Sequence, residues 1–197
     1  MKGFDPLTFE IREDRLASCY FFYGEAEYLV ELFIRRLKEV LLGPDAQGFN
    51  IERFDLAKVN WADIIDTART APFFFSPWRI VVVQALENEG EGRSGRARRD
   101  GPKKLTALDE KIIREYFRSP ASRTILVMSV VGDRVKRTHP MVKFFGSLPS
   151  SKIRSLEIKP LKTNALHSWM AERLAGLGKS ATPAALSRSI GCARQSR

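Results

Sequence analysis

At 197 residues, with 44% hydrophobic and 28% charged side chains, the chain has the composition of an ordinary globular protein, which excludes wholesale disorder. No apolar run approaches the roughly 20 residues that span a bilayer, and the N-terminal MKGFDPLTFEIRED lacks the apolar core of a secretory leader, so a cytoplasmic location is expected. The formal net charge of +10 favours an anionic partner, while Cys19 and Cys192 at opposite ends, with only His139 and His167 besides, leave neither a disulfide framework nor a zinc set in view.

In chain order, Ser18 to Tyr23 (SCYFFY) is a short aromatic run ending at Gly24, which predicts a buried strand. A helix follows. Leu29, Leu32, Phe33, Leu37, Val40 and Leu41 recur at three- and four-residue spacing, Glu25 and Glu27 are expected in its first turn, and Gly43-Pro44 closes it. Ile51 to Phe54 reads as a second strand. The next helix starts near Trp61, with Asn60 as N-cap and Asp63 three residues on, and runs until Pro72. A β-branched third strand covers Ile80 to Val83.

Between the second helix and the third strand lies APFFFSPWRIVVV, Ala71 to Val83, in which three consecutive phenylalanines stand between two prolines. Such rings either pack into their own domain or are held at the surface for a partner, and an exposed apolar patch usually means binding. From Asn88 to Lys104, NEGEGRSGRARRDGPKK predicts a mobile basic loop carrying Arg93, Arg96, Arg98, Arg99, Lys103 and Lys104. Two readings stand for it: contact with nucleic-acid phosphates, or a solvated linker.

Regular structure resumes with a helix from about Ala107 to Phe117, a strand from Thr124 to Ser129, a helix around Met141 to Phe145, and a strand from Ile153 to Ile158. This alternation predicts an α/β fold, a parallel sheet covered by helices, over residues 1–160. Lys159-Pro160 marks a boundary. Beyond it, residues 161–197 open a small helical domain: Leu166, Trp169, Met170, Leu174 and Leu177 give one amphipathic helix ended by Gly178, and Thr182-Pro183 starts another.

The first strand-turn-helix is where a nucleotide-binding α/β fold places its phosphate loop. A working loop needs the pattern G-x-x-x-x-G-K-[ST], whose glycines wrap the phosphates and whose lysine reaches the terminal ones. Here the position reads Tyr23-Gly24-Glu25-Ala26-Glu27-Tyr28, with one glycine, no lysine and two carboxylates that repel a triphosphate. Other catalytic patterns fail too. Asp63, Asp66 and Asp109 are scattered on helices, His139 sits in a helix-entry sequence, and Arg123 stands at the start of a strand, so no catalytic residue, metal or cofactor is expected.

Taken together, YFFYGEAEYLVE, FNIERFD with its short helix, APFFFSPWRIVVV, and LEIKPLKTNALHSWMAERLAGLGKSATPAAL resemble, in order, the delta subunit of the bacterial DNA polymerase III clamp loader. The resemblance covers most of residues 18 to 187, with the basic stretch as an apparent insertion. It implies an AAA+ type architecture: a RecA-like domain, a helical lid, and a C-terminal collar that joins the loader's subunits. It also implies no working ATP site at Gly24, so that polymerase activity belongs to the holoenzyme. The implied partners are the sliding clamp (the beta subunit), the other loader subunits and primed DNA. Members of this family bind and open the clamp with a hydrophobic wedge just before the third strand. Counting back from Val81-Val82-Val83 puts that wedge on Phe74 and Phe75, with Pro72 and Phe73 beside it. The sequence ends inside the lid and does not reach a collar, as expected of a fragment or a shortened product. A P-loop-type ATPase and a basic nucleic-acid-binding module are the alternatives.

Overall fold

A computed structural model describes residues 11–43, 48–73, 76–86, 105–132, 135–161, 163–175 and 178–185. The chain divides into two units, Met1–Ile158 and Lys159–Arg197.

The first unit holds five strands, β1 (Cys19–Gly24), β2 (Ile51–Asp55), β3 (Arg79–Leu86), β4 (Thr124–Val131) and β5 (Ile153–Ile158). Helices α1 (Glu27–Leu41), α2 (Trp61–Arg69), α3 (Ala107–Arg118) and α4 (Pro140–Gly146) alternate with them. All pairings are parallel, in the order β2-β3-β4-β1-β5. This is the parallel, helix-covered α/β sheet that the alternation predicts. β1 and β4 are buried along their whole length, which is why CYFFYG and TILVMSVV read as unbroken apolar runs. The edge strand β2 (IERFD) has no fully buried residue, in keeping with its three charged side chains.

Side chains of β1 divide between the two faces. Tyr20 and Phe22 pack on Phe33 of α1, with ring centroids 4.8 and 5.0 Å apart. Phe21 points the other way and stacks on Phe145 of α4 at 4.6 Å. That second face carries a core of Trp61, Ile64 and Ile65 from α2, Ile113, Tyr116 and Phe117 from α3, and Val81, Val83, Leu126 and Met128 from the strands. Among the described residues, one α-helix therefore covers one face and three cover the other.

The predicted aspartates are structural. Asn60 accepts a hydrogen bond from the Asp63 amide at 2.9 Å and so caps α2, while Thr106 and Asp109 form a reciprocal capping box on α3. Asp66 lies 3.8 Å from Arg69 on the same helix. His139 occupies the N-cap position of α4, with Pro140 as the helix's first residue.

Several boundaries differ from the sequence reading, and three of the differences have a plain physical cause. α2 ends at Arg69 rather than at Pro72, because Thr70 already takes an extended conformation (ψ 134°) and the residue before a proline is pushed the same way. β3 extends to Leu86 because its whole length pairs with β4. Glu25 lies outside the first turn of α1: its backbone N–H donates to the Ile158 carbonyl at 3.1 Å, which holds it in the turn before the helix.

In the second unit, α5 (Thr163–Ala175) ends as the sequence suggests. Gly178 has φ +68°, and the amides of Gly178 and Lys179 donate to Ala175 and Leu174 at 2.9 and 2.8 Å, a left-handed helix stop. Thr182 then accepts from the Ala185 amide at 3.3 Å, as an N-cap would.

Candidate protein-docking site

Two of the places with functional expectations fall on described residues in whole or part, and they lie at opposite ends of the parallel sheet. Gly24 is the last residue of β1, at the carboxyl ends of the strands, where open α/β sheets bind ligands. Ala71 to Trp78 runs into the first residue of β3, at the amino ends.

At Gly24 the chain makes no loop. Only Glu25 and Ala26 separate β1 from α1, against the several residues that a backbone needs to wrap a phosphate chain. Gly24 takes φ +133° and packs against the Ile158 backbone, and its own carbonyl accepts from the Gly132 amide at 3.0 Å. Tyr23 is buried, whereas Glu25 and Glu27 are exposed. Nearby, Arg137 pairs with Glu157 at 3.2 Å, and hydrogen bonds to Glu157 and then Tyr23 hold its guanidinium above the usual arginine range. Neighbouring backbones thus occupy the flanks of the strand end.

The aromatic segment has a different construction. Asn50, fully buried just ahead of β2, donates from Nδ2 to the Phe73 carbonyl at 2.8 Å and accepts from the Phe73 amide at 2.6 Å. The Asn50 backbone carbonyl accepts from the Ile80 amide at 2.8 Å. One residue thus ties both flanks of the segment, Phe73 through its side chain and Ile80 through its main chain. On the far side, Ser76 Oγ donates to the Trp78 carbonyl at 2.9 Å and accepts from the Trp78 amide at 3.3 Å.

Phe73 is 47% exposed and Pro72 is half-buried; Phe74 and Phe75 lie outside the described residues. Trp78 and Arg79 anchor the return, 8% and 2% exposed. Arg79 pairs with Glu52 of β2, its amide donates to the Arg123 carbonyl at 2.8 Å, and its guanidinium lies 5.6 Å from the centroid of the Phe73 ring. The Arg123 guanidinium in turn covers the Trp78 indole at 5.2 Å. Among the described residues, Arg79 Nε and Nη1 and the Trp78 indole nitrogen have no hydrogen-bond partner. Phe49, next to Asn50, is 62% exposed.

Sequence reasoning singled out the phenylalanines but not the residues that hold Phe73 and Trp78. Glu52, Arg79 and Arg123 are distant in sequence and are brought together only by the β2-β3-β4 pairing. The basic stretch with Arg93, Arg96, Arg98, Arg99, Lys103 and Lys104 lies outside the described residues.

Among the described residues, no cluster of three His, Cys, Asp or Glu could hold a metal, and no helix is long and apolar enough to cross a membrane. The five-stranded parallel sheet in the order β2-β3-β4-β1-β5, with helices on both faces, is an α/β fold of the RecA-like, AAA+ type. The model of the DNA polymerase III delta subunit family matches residues 20–152, well over half of the sequence, and the chain belongs to that family. It is 21% identical over 158 residues to the DNA polymerase III subunit delta of Bacillus subtilis, a match covering 78% of this chain and 43% of the relative. The solved structure of the Bacillus subtilis DNA clamp loader delta protein superposes with a TM-score of 0.58 at 18% identity, over 89% of this chain and 48% of that one. The chain spans a little under half the length of these relatives.

Proposed function

We propose that this chain binds a ring-shaped sliding clamp and helps to open it during DNA replication, as a non-catalytic part of a clamp loader. The wedge consists of Phe74 and Phe75, with Pro72 and Phe73 at its base. One observation carries the reading: Phe73 stands 47% exposed on a segment tied at both flanks to buried Asn50. An apolar side chain exposed on a residue whose backbone is already hydrogen-bonded suits insertion into an apolar pocket, since part of the ordering is settled before binding.

The position at Gly24 supports the same reading from the opposite end of the sheet. A two-residue connection bearing Glu25 offers a triphosphate neither enough backbone amides nor a cation, so clamp binding by this chain proceeds without nucleotide. The other subunits of the loader and primed DNA complete the assembly, with Arg93, Arg96, Arg98, Arg99, Lys103 and Lys104 as candidate phosphate contacts, consistent with the net charge of +10.

The test is binding of the chain to the sliding clamp of its own organism, beside a folded Phe74→Ala, Phe75→Ala double variant. Each buried phenylalanine contributes about 1.5 to 3 kcal/mol, so the pair should cost at least a hundredfold in affinity. Clamp binding that is equally tight in the double variant would move the contact elsewhere. Salt-sensitive DNA binding without any clamp, lost on removal of residues 93–104, would instead favour the nucleic-acid module.

A further inference from the structure

We infer that Arg123 is a further contact residue of the docking surface, a guanidinium held on the Trp78 ring that receives an acidic side chain of the clamp. This deepens the clamp-binding reading and rests on it.

The contact is built at the heads of two neighbouring strands. Arg79 and Thr124, the first residues of β3 and β4, stand opposite each other in register, and the Arg79 amide donates to the Arg123 carbonyl at 2.8 Å. The exposed Arg123 side chain lays its guanidinium 5.2 Å from the centroid of the Trp78 ring. Stacking uses the face of a guanidinium, whereas its N–H groups point outward in the plane, so one group can rest on an indole and bind a carboxylate at the same time. Trp78 is 8% exposed and therefore a fixed platform, on which Arg123 gives up part of its rotamer freedom before any partner arrives.

Charge is unbalanced at this place. The exposed Arg53, Arg69, Arg114, Arg118 and Arg137 each lie 2.7 to 3.9 Å from a carboxylate oxygen. Among the described residues, Arg123 has no such partner. Arg79, 2% exposed, meets Glu52 through Nη2, while its Nε and Nη1 and the Trp78 indole nitrogen find no acceptor. Donors therefore outnumber acceptors here, an excess that an incoming anion offsets. Through Arg79 the cluster adjoins Phe73, whose half-exposed ring lies 5.6 Å from the Arg79 guanidinium. A partner that covers Phe73 also removes water from around Arg123, and an ion pair formed there is stronger than one in open solvent.

The surroundings favour a protein carboxylate over a nucleic-acid phosphate. A phosphate backbone is met by a series of cations. Here one unpaired guanidinium stands on an indole beside a phenyl ring, the mixture of arginine and aromatic surface that concentrates binding energy between proteins.

The experiment titrates the 197-residue chain and its Arg123→Gln, Arg123→Lys and Arg123→Glu variants with the sliding clamp of the same organism, at low and at high salt. Arg123→Gln should weaken binding about tenfold at low salt and by less at high salt, because the lost attraction is the part that salt screens. Arg123→Glu, which sets a carboxylate against a carboxylate, should weaken it about a hundredfold. Arg123→Lys keeps the charge but not the planar stack and should fall between the parent and Arg123→Gln. Thermal melts of all three should stay near the parent, the side chain being exposed.

Unchanged clamp affinity in Arg123→Gln and Arg123→Glu would overturn the inference and leave clamp binding intact. A loss that salt does not diminish, or early melting in every variant, would make Arg123 a structural cover for Trp78 and overturn it as well. Variants that keep the clamp but lose DNA would transfer the residue to phosphate recognition. A folded parent that binds no clamp would sink the proposed function and this contact with it.

Discussion

Gly24 at the end of β1 and Ile158 at the end of β5 pack so closely that a side-chain carbon on Gly24 would overlap the Ile158 carbonyl oxygen. The backbone of Gly24 also has φ +133°, a conformation that L side chains rarely adopt. Both facts follow from the turn made at the strand end: Glu25 must present its amide to Ile158, and only a glycine lets the chain bend there without pushing β5 away. At the position read from sequence as a degenerate phosphate loop, the backbone makes a turn that fastens the end of β1 to β5.

Gly24→Ala should therefore be strongly destabilising. Left-handed strain together with the overlap against main-chain atoms places the loss at about 3 kcal/mol or more. Urea denaturation followed by circular dichroism would measure it. A midpoint within error of the parent would mean that the β1 to β5 closure is looser than the geometry requires.

Phe73→Ala separates binding from folding. Nearly half of this side chain is already in solvent, so its removal should alter stability by less than about 1 kcal/mol, the loss being chiefly its contact with Arg79. Affinity for the clamp should fall by about 1 to 2 kcal/mol, the range expected when one apolar ring leaves the edge of a buried patch. Calorimetric titration beside a thermal melt reads both quantities. A large drop in melting temperature with unchanged affinity would reassign Phe73 to the core.

Much of the sheet was legible because buried parallel strands write themselves as apolar runs: CYFFYG and TILVMSVV need no tertiary information to be recognised. Caps at Asn60 and Thr106 are local, and so are readable too. The support of the aromatic segment was not. Asn50 reaches Phe73 across 23 positions, Glu52 reaches Arg79 across 27, and Arg123 reaches Trp78 from the strand beyond. Such contacts exist only once β2, β3 and β4 lie side by side, and no periodicity encodes them. The end of α2 was misread for a related reason, since a proline reports where a helix cannot continue and not how much earlier it stops.

Glu31 of α1 receives Arg53 of β2 on both carboxylate oxygens, at 2.7 and 2.9 Å, and Gln84 of β3 at 3.2 Å. The hydrogen bonds from Arg53 hold its carboxyl below the usual glutamate range, against an opposing push from partial burial. A carboxylate depressed on folding contributes stability above its unfolded pKa of about 4.5 and loses it as pH falls through the folded value. Both partners are more than two-fifths exposed, so solvent screening limits the contribution to about 0.5 to 1 kcal/mol. Glu31→Gln should thus lose less stability than the parent on acidification through this window, by that amount in parallel urea titrations. Parallel curves would remove the pair from the acid response.

The opposite sign is expected at alkaline pH from Tyr116. Its ring lies in the core, 1% exposed, with Phe117 set edge-on at 5.1 Å, and burial pushes the phenol from 10.0 up to about 12. A group whose folded pKa is raised contributes stability that is complete below the unfolded value and is lost as pH climbs through the folded one, here between about 10 and 12. The full loss is roughly 2 to 3 kcal/mol at about 1.4 kcal/mol per unit. Burial also raises Tyr20, so the parent's alkaline slope contains more than one phenol. The difference between the parent and Tyr116→Phe isolates one of them: the variant should lose less stability than the parent across this range, while the two behave alike near neutrality apart from a constant offset. Denaturation midpoints taken at several pH values, with phenolate absorbance recorded in parallel, would decide it. If Tyr116 ionises near 10 in the folded protein, α3 opens to solvent more readily than its packing against the sheet implies.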